Sequence, residues 1–212
     1  MALVAFDFDG TLSETEMTVL LGEQSDVAED MESITRRAME GEIEYGESLR
    51  ERVQLLAGLP TGTAAEALRS VALRPGAAEL LSDLHAAGVS TAILTGGFER
   101  GVRHALRTAE VSVDAVIANN LEVADDALTG EVSGPLVDGT KDVALTALAS
   151  ELGVSLGEVI AVGDGANDLA MLDVAGIGIG FSPKAAIRDE CDIVVNDIDE
   201  LRAVLVEQEL LS

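Results

Sequence analysis

Three apolar, strand-like runs in this chain each stop in a short polar string containing glycine, and each string leads into a turn or helix. The strings are Phe6-Asp7-Phe8-Asp9-Gly10-Thr11-Leu12, Leu94-Thr95-Gly96-Gly97-Phe98 and Val162-Gly163-Asp164-Gly165-Ala166-Asn167-Asp168. A near-continuous apolar run such as Leu3 to Phe8 suits a strand buried on both faces, as in a parallel sheet. In such sheets ligands bind beyond the carboxyl ends of the strands. The three strings are therefore expected to converge on one crevice.

The intervening sequence predicts the layers around that sheet. Residues 14–74 read as helices with no strand. Val27, Met31, Ile34 and Ala38 share one helical face, and Tyr45, Leu49, Arg52 and Leu56 repeat the spacing. Pro60 and Gly62 break the run before a short helix over 63–71. Pro75 suits a helix start and Gly88 a helix stop. Strands are expected at 89–94, 159–162, 177–181 and 193–195, and two or three short ones within 113–132, with turns at Asp125-Asp126 and Thr129-Gly130. Helices are expected at 98–109, 140–152, 167–174 and 198–206. This alternation indicates an α/β fold: a doubly wound, mainly parallel, Rossmann-like sheet. Residues 1–13 and 75–212 would form this core, with 14–74 a small α-helical cap inserted after the first strand.

Composition narrows the function. With 212 residues, 48% of them apolar, the chain can build one substantial core. No apolar run approaches the roughly 20 residues of a membrane span, and the start lacks the pattern of a secretory signal. Cys191 is the only cysteine, which excludes a disulfide within the chain and reads as a small residue near a strand. Asp and Glu number 39 against 13 Lys and Arg, giving a net charge of −26 spread along the chain. That field repels nucleic acid and anionic membranes. The spread suggests adaptation to a cytoplasm of molar salt, where screening falls to about 3 Å and self-repulsion costs little. A cytoplasmic, halophilic protein is the expectation.

The strings carry chemistry suited to phosphoryl transfer. Asp7 and Asp9, two apart at a strand end, can approach one face. One carboxylate can attack phosphorus, and the other can protonate a leaving oxygen and then activate water. Asp-x-Asp also arises easily in so acidic a chain. Thr95 and Gly96 offer a hydroxyl and backbone N–H groups to phosphate, or form a plain glycine turn. Lys141 stands at a predicted helix start, where the macrodipole disfavours a cation; a phosphate or the Asp7 carboxylate would explain it. Asp164 can give a hard oxygen to Mg²⁺, and Asn167 can donate to phosphate or position Asp164. Asp168 could join the metal environment or simply favour the helix start. Arg52, on an apolar helical stripe, is either a snorkelling side chain or a fork for a substrate carboxylate. Glu16 could bind an ammonium or be one more surface acid. His85 and His104 read as structural or surface residues.

The order and context of these strings resemble the haloacid dehalogenase superfamily. Within it the chain is similar to the phosphoserine phosphatases, through Ala38-Met39-Glu40-Gly41, Tyr45, Ser48 to Val53, Thr95 to Phe98 and Gly163 to Asp168, over roughly residues 3–205. The resemblance implies Asp7 as nucleophile and Asp9 as general acid and base. It implies Mg²⁺ held by Asp7, Asp164 and the main-chain oxygen of Asp9, and phosphate held by Thr95, Gly96, Lys141 and Asn167. Glu16 and Arg52 would bind the ammonium and carboxylate of serine, with Met39 and Tyr45 shaping the pocket. The implied partner is a small phosphomonoester; the expected assembly is a monomer or homodimer. Three residues depart from that subfamily: Gly10 and Thr95 stand where serine is usual, and Tyr45 where phenylalanine is expected. The rival expectations are a related phosphatase for another small phosphomonoester, such as phosphohomoserine or a sugar phosphate, and a sensor that binds without turnover. The intact Asp7/Asp9 pair disfavours the sensor.

Overall fold

The computed structural model describes residues 2–39 and 42–212. Glu40 and Gly41, on which part of the resemblance rests, lie outside the described residues, as does the Met39 side chain. A seven-stranded sheet runs in the order β4-β3-β2-β1-β5-β6-β7. Its strands are β1 (Leu3–Phe6), β2 (Ser90–Phe98), β3 (Ala115–Ala124), β4 (Ala127–Ser133), β5 (Val159–Gly163), β6 (Ile177–Phe181) and β7 (Ile193–Val195). Every pair is parallel except β3 with β4.

Side-chain alternation along the strands sorts the core into two layers. Val4 and Phe6 of β1, Ile93 of β2 and Val162 of β5 belong to one cluster. Leu3 and Ala5, Ala92 and Leu94, and Val159 and Ala161 belong to the other. The first cluster takes in α5 (Ala77–Ala86), α6 (Glu99–Thr108) and α9 (Ile198–Glu207) through residues such as Leu80, Val102 and Leu201. The second takes in α7 (Lys141–Leu152) and α8 (Leu169–Val174) through Leu145, Leu148, Met171 and Leu172. Helices on both faces explain why β1 carries no polar residue: each of its four positions is buried.

Between β1 and α5 the chain forms α1 (Met17–Glu23), α2 (Ala28–Met39), α3 (Tyr45–Gln54) and α4 (Thr61–Arg69). This is the segment expected to be all helical. Leu21, Met31, Leu49, Val53 and Leu68 join it to the first core cluster. Its linker also covers the open edge of β4: the Gly58 N–H donates to Leu128 O at 2.8 Å and the Leu128 N–H to Leu59 O at 2.9 Å. Covering an edge removes a template for unwanted strand pairing.

Two local expectations are corrected. Thr129-Gly130 is not a turn but lies inside β4. Gly130 has φ +86°, and a Cβ there would sit 2.9 Å from Ala57 Cβ, so the glycine serves close approach of the α3 end to the strand. The one turn is Asp125-Asp126, with φ of 48° and 60°, the left-handed pair that a two-residue hairpin requires. Thr95-Gly96-Gly97 likewise does not end β2. The strand continues to Phe98 through a register shift against β3 between Leu94 and Phe98. Such a bulge re-aims side chains beside a site.

Candidate active site

At the centre of the sheet β1 has β2 on one side and β5 on the other. The loops leaving these three strands therefore meet at one point, where the strand order reverses. Asp7 follows β1 directly, and its N–H still donates to Val162 O at 2.8 Å. Asp9 lies two residues on, inside a tight loop closed by the Ser13 N–H donating to Phe8 O at 2.8 Å. Gly10 in this loop has φ +88°, and a Cβ there would stand 2.7 Å from the Asp164 carboxylate. That close approach accounts for glycine where the resembled subfamily carries serine.

Lys141, the first residue of α7, is buried, and its ammonium donates to two carboxylates. Lys141 Nζ is 2.5 Å from Asp7 Oδ1 and 2.5 Å from Asp168 Oδ1. The second Asp168 oxygen accepts from the Asp164 N–H at 3.0 Å and the Gly165 N–H at 2.9 Å. With both oxygens engaged, Asp168 braces the turn that carries Asp164 and orients Lys141. The sequence alone leaves this residue between metal contact and helix start.

Asp7, Asp164 and Asp168 each place a carboxylate oxygen within 4.8 Å of the others. Burial raises the Asp7 pKa well above the carboxylate range, and the Asp168 charge adds to this while Lys141 opposes it. Burial also raises Asp164, against the charge of Lys184, whose Nζ lies 3.1 Å from Asp164 Oδ2. Burial alone would lower Lys141, but the charges of Asp168 and Asp7 outweigh it and hold its pKa raised. Three carboxylates held between two lysines, Lys141 and Lys184, leave one negative charge in excess when all are ionised. The donor set, all hard carboxylate oxygen, fits a divalent metal ion.

Asp9 is different. One oxygen accepts from the Met17 N–H at 3.1 Å, and the other, Oδ1, is buried with no partner among the described residues. Burial, then the nearby Glu16 charge, pushes its pKa to about 8. At neutral pH the carboxyl keeps its proton, the state a general acid needs.

Thr95 is buried, and its hydroxyl accepts from the Gly97 N–H at 3.0 Å. The Tyr45 hydroxyl occupies the space a Cβ at Gly96 would fill, so only glycine fits beneath it. Burial raises the Tyr45 pKa to about 12, keeping the phenol neutral. A cavity of about 440 Å³ opens beside these groups, lined in part by Tyr45, Gly96, Val137, Lys141 and Asn167. At its rim Arg50 of α3 pairs with Asp138 of the loop before α7.

Arg52 is buried on α3, donating from Nη1 to Thr18 Oγ1 at 3.2 Å and from Nε to Ser48 O at 3.3 Å. No carboxylate of the described residues pairs with it. Glu16 stands in the position just before α1, where its side chain makes no capping hydrogen bond; it is half-buried and close enough to act on Asp9. The predicted residues thus gather in one region, apart from Met39, whose side chain is not described.

Two supports escaped sequence reading. Arg74 donates to Gly10 O at 3.1 Å and Thr11 O at 3.0 Å, tying down the Asp9 loop, and lies 4.9 Å over the Phe181 ring. Asn119, fully buried in β3, donates to Gly96 O at 3.1 Å and accepts from the Leu136 N–H at 3.0 Å. The Asn119-Asn120 pair, ending the apolar run 115–118 in mid-strand, is the available signal for Asn119.

The profile of the haloacid dehalogenase-like hydrolases matches residues 4–173. A phosphoserine phosphatase of Halobacterium salinarum is 49% identical over 205 residues, 97% of each chain. A solved phospho-aspartyl intermediate analogue of phosphoserine phosphatase superposes with a TM-score of 0.88 at 34% identity, covering 96% of this chain and 98% of the other. A substrate-bound phosphoserine phosphatase complex gives the same TM-score of 0.88 at 34% identity, covering 97% of each.

Proposed function

The chain belongs to the haloacid dehalogenase-like hydrolases, and from that premise we propose that it is a cytoplasmic phosphoserine phosphatase, cleaving O-phospho-L-serine to L-serine and phosphate in the last step of serine biosynthesis. The observation that carries the substrate is Arg52, a buried guanidinium without a carboxylate partner among the described residues. A buried charge is stable only when paired, and an amino-acid carboxylate suits its planar fork. Glu16, at the start of the same α1 that carries Thr18, takes the ammonium.

Mg²⁺ is the metal we assign to the acidic cluster, held by Asp7, Asp164 and the main-chain oxygen of Asp9. When bound, it supplies positive charge against the phosphoryl oxygens. The chain's own groups do the rest. Thr95, Gly96, Lys141 and Asn167 hold the phosphoryl oxygens. An Asp7 carboxylate oxygen attacks phosphorus in line with the serine oxygen, and the P–O bond to serine breaks. Asp9, protonated at neutral pH, passes its proton to that oxygen through the free Oδ1. Ionised Asp9 then takes a proton from water as the water attacks the aspartyl-phosphate. Phosphate leaves, and both aspartates return to their starting states. Residues 14–74 serve as the cap that keeps bulk water from this sequence.

The test is phosphate release from a panel of phosphomonoesters with Mg²⁺ in molar KCl, with Asp7→Asn as the blank. Phosphoserine should be the best substrate, and Asp7→Asn should lose about 10⁴-fold or more, as removal of a covalent nucleophile does. A second reading, another small phosphomonoester, is favoured by the Tyr45 hydroxyl over Gly96, which adds a polar group to the pocket. A panel in which phosphohomoserine or a sugar phosphate outruns phosphoserine decides for it.

A further inference from the structure

Cations are scarce in this chain, with 13 Lys and Arg against 39 Asp and Glu. Among the described residues most are spoken for: Arg37, Arg50, Arg74, Arg103, Arg202, Lys141 and Lys184 all stand in ion pairs. Three that do not, Arg69, Arg100 and Arg107, line one cleft of about 130 Å³ together with His104, Ala65 and Leu68. None of these six lines the catalytic cavity.

The convergence is built by the helices. Arg100, His104 and Arg107 are spaced i, i+4, i+7 and fall on one face of α6. Arg69 comes from the last turn of α4. Gly101 lets α6 sit close against α1, since a Cβ there would stand 2.6 Å from Met17 Sδ, while Leu68 of α4 lies at ordinary contact distance on the same side. The one acid on α6, Glu99, is taken by Arg103 at 2.6 Å. Glu66 of α4 and Glu110 just beyond α6 are acids on the same elements, yet among the described residues no carboxylate pairs with these three guanidiniums, in a molecule where carboxylates are three times as common as cations. The three arginines are solvent-exposed, so water and salt screen their mutual repulsion, and what remains of it is relieved when an anion sits among them. Guanidinium forks match the oxygens of phosphate in pairs. The volume would hold about four waters at about 30 Å³ each, enough for one tetrahedral oxyanion.

We propose that the cleft between α4 and α6 is a second anion site, specific for a phosphate-type dianion and separate from the catalytic centre. Because its arginines come from both helices, the bound anion ties α4 of the inserted helical segment to α6 of the sheet domain. Inorganic phosphate and a phosphomonoester share the chemistry it recognises.

Equilibrium dialysis of labelled inorganic phosphate at fixed ionic strength tests this without reference to turnover. Wild type should take up two phosphates per chain, and Arg100→Gln/Arg107→Gln one. Lys141→Ala should keep the cleft site and lose the catalytic one. Loss of two charge-assisted contacts should weaken the cleft site at least about tenfold. Arg188→Gln, outside the cleft, controls for net charge, and Arg107→Gln alone serves where the double variant does not fold. Methylphosphonate, which mimics a monoester and is not hydrolysed, identifies the source: tighter binding than phosphate points to a monoester, weaker to free phosphate. Uptake by Arg100→Gln/Arg107→Gln equal to wild type overturns the proposal. So does displacement by chloride as effective as by sulfate at equal ionic strength, since that is screening alone.

Discussion

Asp168 Oδ1 lies 2.5 Å from Lys141 Nζ, and both side chains are buried. The same carboxylate accepts from the N–H groups of Asp164 and Gly165. One residue thus sets both the lysine beside Asp7 and the turn carrying Asp164.

Removing Asp168 should therefore do more than remove a charge. Asp168→Ala takes one of two carboxylate partners from the buried Lys141 ammonium, leaving only Asp7, and orphans two backbone donors; it should destabilise the fold by about 3–5 kcal/mol, the cost of breaking a buried pair. Asp168→Asn keeps the shape and should recover part of the stability but little activity, because its amide cannot balance Lys141. Denaturant unfolding with parallel rate measurements checks both. An Asp168→Asn enzyme of normal rate would show that Lys141 needs only Asp7.

Arg52 separates substrate recognition from chemistry. Arg52→Ala should weaken use of phosphoserine by about 2–5 kcal/mol in kcat/KM, as loss of a desolvated charged partner does. A phosphate without the amino-acid head, such as p-nitrophenyl phosphate, should change far less. Equal losses on both substrates would make Arg52 a structural residue held by Thr18 and Ser48.

Stability of the metal-free protein should depend on pH through Asp9. Its folded pKa, about 8, exceeds its ordinary 3.8. The folded state therefore keeps a proton that the unfolded chain releases. This contribution is complete below the unfolded value and disappears as pH rises through about 8. Burial pushes Asp7 and Asp164 in the same direction. In a chelator, Tm should fall from about pH 5 to about pH 8, and Asp9→Asn should flatten the fall. Mg²⁺ should raise Tm more at the upper pH, where it competes with fewer protons. The same Mg²⁺ shift at both ends would place its binding elsewhere.

Much of this site was legible because β-strand ends announce themselves. Asp7, Asp9, Thr95, Lys141 and Asp164 each sit where an apolar run or helix begins or stops, and the structure brings them together. Thr95-Gly96-Gly97 misled only in form: glycines read as a turn, yet the β3 register shift carries the strand through them. Thr129-Gly130 misled for the same reason, its glycine serving contact with Ala57 rather than reversal. Arg74 and Asn119 could not be placed from spacing. Each acts on backbone carbonyls 23 to 64 residues away in sequence, and local pattern carries no record of such partners.

Salt should stabilise the molecule. The exposed acids Glu29, Asp30 and Glu32 crowd α2, and Asp125 and Asp126 share one turn. Screening shortens to a few ångströms near ~1 M salt, so Tm and activity should rise from ~0.1 M to ~1 M KCl at fixed Mg²⁺. A flat or falling midpoint would detach the acidic surface from halophilic adaptation.

The central place of β1 also governs how the chain can fold as it is made. Leu3–Phe6 pairs with β2 some 87 residues on and with β5 some 156 residues on, as the register Leu3 to Ser90 and Leu3 to Val159 fixes. At about 5–20 residues per second of synthesis, the first strand waits on the order of ten seconds before its second neighbour exists. In that interval its four apolar residues are unpaired on at least one edge, in a chain whose charge keeps copies apart. The negative charge carried along the chain, −26 in all, would then oppose association of nascent copies before any folded surface exists.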